Sequence, residues 1–228
     1  VWVSDNLGEA TTPRVHGDSL VVAFPGRIEA RDVATGSIDW RHDFASEEIE
    51  PAGSPAVTSG RVYLTTVNDE LRCLDASSGH EVWKRSVPGT QSESAPAIVG
   101  DEIYLNTESG LQRRNTDDGS ITWQSGLVDG RFTPAVAPET VVSGLRNDRT
   151  GYLVAYDRPS MEPRWRVETK KIYDQYTIAG NIVVAGLGFE IGFDTATGEP
   201  DLSTDRAICG GKVAADSFIT YFDGHFMA

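Results

Sequence analysis

Residues 73–83 read C-L-D-A-S-S-G-H-E-V-W, and residues 30–40 repeat the frame as A-R-D-V-A-T-G-S-I-D-W. Outward from these two copies, Trp40, Trp83, Trp123 and Trp165 recur at intervals of 43, 40 and 42 residues. The first copy carries Ala30, Asp32 and Gly36 ahead of its Trp, and the second carries Asp75 and Gly79. Asn115 and Gly119 precede Trp123, while Ala155 and Asp157 precede Trp165, with Met161 where glycine belongs. A fifth copy keeps Asp194 and Gly198 and puts Leu202 in the tryptophan place.

The frame has a physical reading. Asp or Asn can hydrogen-bond its own backbone two residues on, starting a turn at the end of a strand. Glycine four residues later supplies a positive φ that a side chain resists. Tryptophan then anchors the next strand with a large flat surface. Upstream, Thr12-Pro13, Ser54-Pro55, Ala95-Pro96 and Thr133-Pro134 each open a short strand. Apolar strands follow at 19–23, 61–65, 102–106 and 181–185. Each repeat therefore holds about four short strands at the ~40–45-residue period of a propeller blade. The fold expected is an all-β, six-bladed β-propeller of four-stranded antiparallel blades. Its blades fall at about 8–43, 50–86, 92–126, 131–168, 172–204 and 206–228, the last completed by 1–7.

That closure is read from the two ends. Val1-Trp2-Val3-Ser4-Asp5 matches Val82-Trp83-Lys84-Arg85-Ser86, placing Trp2 on the last strand of a blade. Residues 212–228 supply the preceding three strands, so N- and C-terminal segments share one blade and no sheet edge is left exposed. A piece of a longer propeller is the alternative.

The frame A-x-D-x-x-x-G-x-x-x-W is similar to the tryptophan-docking motif of PQQ-repeat propellers, both quinoprotein and BamB-like. The resemblance runs along nearly the whole chain, and its motif residues are structural, so it speaks for the fold more than for an activity. It implies a non-enzymatic, monomeric propeller that binds a protein or peptide at or outside the cell envelope. Quinoprotein dehydrogenases of this type carry calcium, a catalytic Asp and commonly a vicinal disulfide. This chain has no adjacent cysteine pair, so no catalytic, cofactor-binding or metal residue is carried over, and no cofactor is expected, PQQ included. A PQQ-dependent or sugar-active propeller enzyme, and a ligand-sensing domain of a larger protein, are the rival readings.

Composition narrows the classes further. The net charge of −14, from 20 Lys and Arg against 34 Asp and Glu, opposes binding to nucleic acid, whose phosphates need clustered cations. No apolar stretch is long enough to span a membrane. Only Lys84, Lys170, Lys171 and Lys212 are lysines. An acidic, lysine-poor surface fits a salt-loving archaeon, and an acidic protein from a GC-rich genome fits equally. Cys73 and Cys209 lack zinc-site spacing and read as buried free thiols.

Two motifs mimic chemistry without its context. Gly17-Asp18-Ser19-Leu20 spells a hydrolase nucleophile block but occupies a hairpin position. Gly186, Gly188 and Gly192 mimic a dinucleotide loop with no helix after it. What departs from the repeat lies ahead of the innermost strands: Arg131 and Phe132 in one loop, Tyr173, Gln175 and Tyr176 in the next. Aromatic and Arg side chains are the favoured interface anchors, so these five form the candidate partner or ligand surface, with channel filling as the plainer alternative.

Overall fold

Asp32 and Gly36 end one strand and turn the chain into the next. In a computed structural model of the chain, the Asp32 carboxylate accepts from the Thr35 amide at 2.6 Å, while the Gly36 amide donates to the Asp32 carbonyl at 2.8 Å. The same amide-to-carbonyl bond recurs from Gly79 to Asp75, Gly119 to Asn115 and Gly198 to Asp194, with each glycine at positive φ. Met161 donates likewise to Asp157 and adopts the same left-handed conformation, at φ 58°. The structure describes residues 9–46, 49–89, 94–128, 130, 132–147, 150–169, 175–179, 182–186, 190–203, 211–214, 217–222 and 225–227.

These turns join the third and fourth strands of successive antiparallel sheets. The first sheet comprises β1 (Arg14–His16), β2 (Ser19–Phe24), β3 (Arg27–Asp32) and β4 (Ile38–Asp43). The second comprises β5 (Ala56–Thr58), β6 (Arg61–Thr66), β7 (Glu70–Asp75) and β8 (Glu81–Ser86). In the third are β9 (Ala97–Val99), β10 (Glu102–Thr107), β11 (Gly110–Asn115) and β12 (Ile121–Gln124). The fourth has β13 (Ala135–Val136), β14 (Thr140–Asn147), β15 (Thr150–Asp157) and β16 (Pro163–Thr169). The fifth has β17 (Gln175–Ala179), β18 (Ile182–Gly186), β19 (Glu190–Asp194) and β20 (Pro200–Ser203). A last sheet holds β21 (Gly211–Ala214), β22 (Ser217–Phe222) and β23 (His225–Met227). Trp2 and the rest of 1–8 lie outside the described residues. None of the described residues forms a helix able to cross a membrane.

Each first strand lies beside the next sheet's first strand, β1 on β5, β5 on β9, β9 on β13, β13 on β17 and β17 on β21. The sheets thus stack face to face around their innermost strands, as propeller blades do. Alternation along a strand sends successive side chains to opposite faces, so a stacked sheet is apolar on both. In β6, Val62 and Leu64 pack with Val21, Ile28 and Trp40 of the first sheet. Tyr63, between them, packs with Trp83, Ile103 and Leu105 on the other side. Two more layers follow the same logic: Tyr104 and Leu111 against Val141, Leu145 and Val154, then Val142 and Leu153 against Val183 and Phe193.

The indoles close the outer side of these layers. Trp40, Trp83 and Trp165 lie against the turn glycines Gly79, Gly119 and Gly198 of the following sheet. Their N–H groups donate to Ala76, Thr116 and Thr195 carbonyls at 2.8, 3.0 and 2.9 Å. Each carbonyl directly follows the frame's Asp or Asn. The junction between the third and fourth sheets differs. Met161 takes the glycine place and is itself buried, Trp123 stays half-buried, and its N–H has no acceptor among the described residues.

Candidate functional site

The loops that lead into the innermost strands are locked to one another by buried polar groups. Thr65, at the fifth position of β6, donates its hydroxyl to the Ser94 carbonyl at 2.6 Å. Asn106, at the same position of β10, donates its amide to the Phe132 carbonyl at 3.0 Å. Ser94 and Phe132 stand in equivalent loop positions, two residues before Pro96 and Pro134. A hydroxyl or amide on one sheet therefore holds the lead-in loop of the next, twice in register.

Further bonds tie the same group. The Ser94 hydroxyl donates to the Asn106 carbonyl at 3.1 Å and reaches the Phe132 carbonyl at 3.4 Å. Ser143, on β14, donates to the Asn106 side-chain oxygen at 2.8 Å. The Ala95 amide donates to the Thr133 hydroxyl at 2.9 Å. Ser94, Asn106 and Ser143 are all 0 % exposed, so each bond replaces water that cannot reach the group. Close backbone approach is part of the fit: a Cβ on Gly130 would come within 2.8 Å of the Asn106 side-chain oxygen. A Cβ on Gly53 would meet the Ala95 amide at 2.7 Å.

Phe132 carries the cost of this geometry. It sits at φ 61°, a left-handed conformation that a bulky side chain rarely adopts. Such strain persists only where the surroundings over-determine it. Here Asn106 and Ser94 hold the carbonyl, while the half-buried ring packs with Ala135 against the cluster of Val142, Leu153 and Trp165. The ring thus braces the loop from within. Gln175 and Tyr176 open β17, which runs beside β13, so their backbone stands at the same end of the sheets as Phe132. Arg131 and Tyr173, the other two members of the candidate surface, lie outside the described residues.

The remaining chemical candidates take structural places. Ser19 follows Gly17, which turns β1 into β2 at φ 60°. Cys73 is a free thiol buried against Tyr63 and Trp83, and burial pushes it up to about 11, far from thiolate reactivity. Cys209, Gly188, Lys170 and Lys171 lie outside the described residues. Among the described residues, no three His, Cys, Asp or Glu side chains are grouped to hold a metal ion.

Asn106, Ser94 and Ser143 were not singled out in the sequence. Asn106 could have been: it is a polar amide in an apolar strand, at a place where Thr65 is also polar and Ala23 is not. What periodicity cannot provide is its partner, a carbonyl 26 residues away on another sheet.

Comparison with known proteins agrees with the propeller geometry. The family model described as outer membrane protein assembly factor BamB matches residues 25–145. The protein of that name from Yersinia pestis is 27% identical over 159 residues, covering 68% of this chain and 38% of its own length. A polyvinylalcohol dehydrogenase from a Pseudomonas species is 30% identical over 122 residues, covering 49% of this chain and 18% of its own. The crystal structure of BamB from Moraxella catarrhalis superposes with a TM-score of 0.70 at 16% identity, covering 92% of this chain and 66% of that one. This chain thus spans well under half the length of the curated relatives named and about two thirds of the solved propeller.

Proposed function

Because this chain belongs to the family of the outer membrane protein assembly factor BamB, a PQQ-repeat β-propeller family, we propose that it is a non-catalytic propeller that binds protein or peptide partners. Binding is placed at the end of the sheets where the lead-in loops lie, at the cell envelope, with no cofactor. The observation behind this reading is the buried clamp of Ser94 and Asn106 on the Phe132 carbonyl. A loop surface fixed before contact loses little conformational entropy on binding, which is how a rigid scaffold gains affinity. Arg131, Tyr173, Gln175 and Tyr176 would meet the partner, while Phe132 holds the loop beneath them.

A photo-crosslinking residue at Arg131 or Tyr173, with one at Arg41 on an outer strand as control, tests the surface in cells that make the protein. A discrete protein adduct from the two loop positions and none from Arg41 is expected; adducts from Arg41 alone would overturn the reading. The polyvinylalcohol dehydrogenase match favours a second reading, a PQQ-using propeller enzyme. PQQ with calcium should leave the melting temperature unchanged under the first reading and raise it under the second, by mass action.

The six described sheets would be six blades of one ring, with residues 1–7 completing the last blade, which holds three strands among the described residues. The 66% coverage of the solved propeller favours a longer ring instead. Removing residues 1–7 should lower the melting temperature by several degrees if they close the ring, and leave it unchanged if they do not. The relatives named are bacterial, so the salt-loving archaeal reading of the composition draws no support from them.

A further inference from the structure

The junction between the third and fourth sheets leaves a groove of about 580 Å³ on the outer side, within the ~300–1,000 Å³ range of ligand sites. Trp123, Tyr156, Met161, Pro163 and Trp165 line it, together with the charged Glu162 and Arg166. Its origin is Met161. At the three other junctions that carry a described tryptophan, the indole settles onto a glycine and bonds the carbonyl beyond the Asp or Asn. Here the corresponding carbonyl, that of Arg158, is approached by the Arg113 guanidinium at 3.5 Å instead. Trp123 stands edge-on to Tyr156, with ring centres 5.2 Å apart.

The lining has a chemical bias. The Trp123 indole N–H and the Tyr156 hydroxyl have no hydrogen-bond partner among the described residues. Among the described residues, the Arg166 guanidinium makes a cation–π contact 4.4 Å from the centre of the Tyr152 ring and no hydrogen bond, and its charge also acts on the Tyr156 hydroxyl. All three can donate, whereas Glu162 is the one charged acceptor. Gln124, the neutral amide nearby, already bonds Gln112 and the Ser109 carbonyl. An occupant must therefore bring flat apolar surface and acceptors with few donors of its own. A sugar ring brings hydroxyls that need both donors and acceptors. A proline-rich segment brings carbonyls without the matching N–H groups, on an extended helix with no internal hydrogen bonds.

We propose that this groove binds a proline-rich, polyproline-II peptide segment, with a prolyl ring against the half-buried Trp123 and a peptide carbonyl accepting from the Trp123 N–H. Aromatic-lined grooves receive such segments because the helix is formed in advance and loses little entropy. The proposal rests on the reading of this chain as a peptide binder, but it puts a site on the outer seam. Failure of the loop crosslinks would leave it standing, and its own failure would leave the loop surface standing.

Titration of the whole chain with a blocked oligoproline peptide, followed by tryptophan fluorescence and calorimetry, tests it. Saturable binding with a Kd on the order of 100 µM is expected. Trp123→Phe, which keeps a ring and removes the donor, should weaken it about tenfold. Met161→Gly, which lets the indole settle onto the turn, should abolish it, with the near-ultraviolet circular dichroism reporting that the variant is folded. No saturable binding by the wild type, equal affinity in Trp123→Phe, or saturation by a neutral oligosaccharide in place of the peptide would each overturn the assignment.

Discussion

The Asn106 amide, on a strand of the third sheet, holds the Phe132 carbonyl, in the loop leading to the fourth, at 3.0 Å. Its own side-chain oxygen takes the Ser143 hydroxyl at 2.8 Å, so one buried residue satisfies two neighbours. Asn106→Leu keeps the approximate shape and removes both bonds. Among the described residues, the Phe132 carbonyl would be left with the 3.4 Å contact from Ser94. A loss of about 2–3 kcal/mol is expected, measured as a lower urea midpoint with an unchanged slope.

The indole–glycine contacts predict a steep cost for a single methyl group. A Cβ at Gly119 would come within 2.7 Å of the Trp83 ring, and the residue sits at φ 72°. Gly119→Ala should destabilise the chain by about 2–4 kcal/mol, from left-handed strain plus displacement of a packed ring. Gly17→Ala, at φ 60° with open space around it, should show only the strain, about 1 kcal/mol. Thermal or urea unfolding of the two variants separates the terms.

Replacing tryptophan by phenylalanine should discriminate between junctions. At position 83 the change removes a 3.0 Å bond and leaves the Thr116 carbonyl short of a donor. At position 123 no such bond is made among the described residues. Trp83→Phe should therefore cost about 1 kcal/mol more than Trp123→Phe in urea unfolding. Equal losses would contradict the view that the third junction lacks a docked indole.

Acid should loosen the turns. Hydrogen bonds from Ser77 and Ser78 hold the Asp75 carboxyl down at about 2. The Arg164 guanidinium, and then Ser160, do the same for Asp157. A carboxylate whose folded pKa is depressed stabilises the fold above its unfolded value and loses that contribution as pH falls through the folded one. Stability should fall between about pH 4 and pH 2. Asp75→Asn should flatten part of that fall, in urea unfolding measured across the range.

Much of this was legible in the chain itself. The Asp-x-x-x-Gly-x-x-x-Trp frame is a local device: its turn is closed by bonds between residues two to five apart, such as the Thr35 amide to the Asp32 carboxylate. Strand positions followed from the X-Pro openings and the apolar runs, and the repeat spacing set where the sheets would fall. Met161 was visible as an intruder in the glycine place. Its effect on Trp123 was not, because the turn belongs to one sheet and the indole to another.

Sequence alone therefore determined the unit: strands, turns and the tryptophan-bearing frame, all governed by interactions within a few residues or by the period of a strand. Tertiary structure decided how the units meet. It placed Asn106 under the Phe132 carbonyl, turned the Phe132 ring inward as a brace, and left Trp123 undocked beside a groove. Those outcomes depend on contacts between sheets, up to 38 residues apart in sequence, where a fraction of an ångström of packing selects which donor meets which carbonyl.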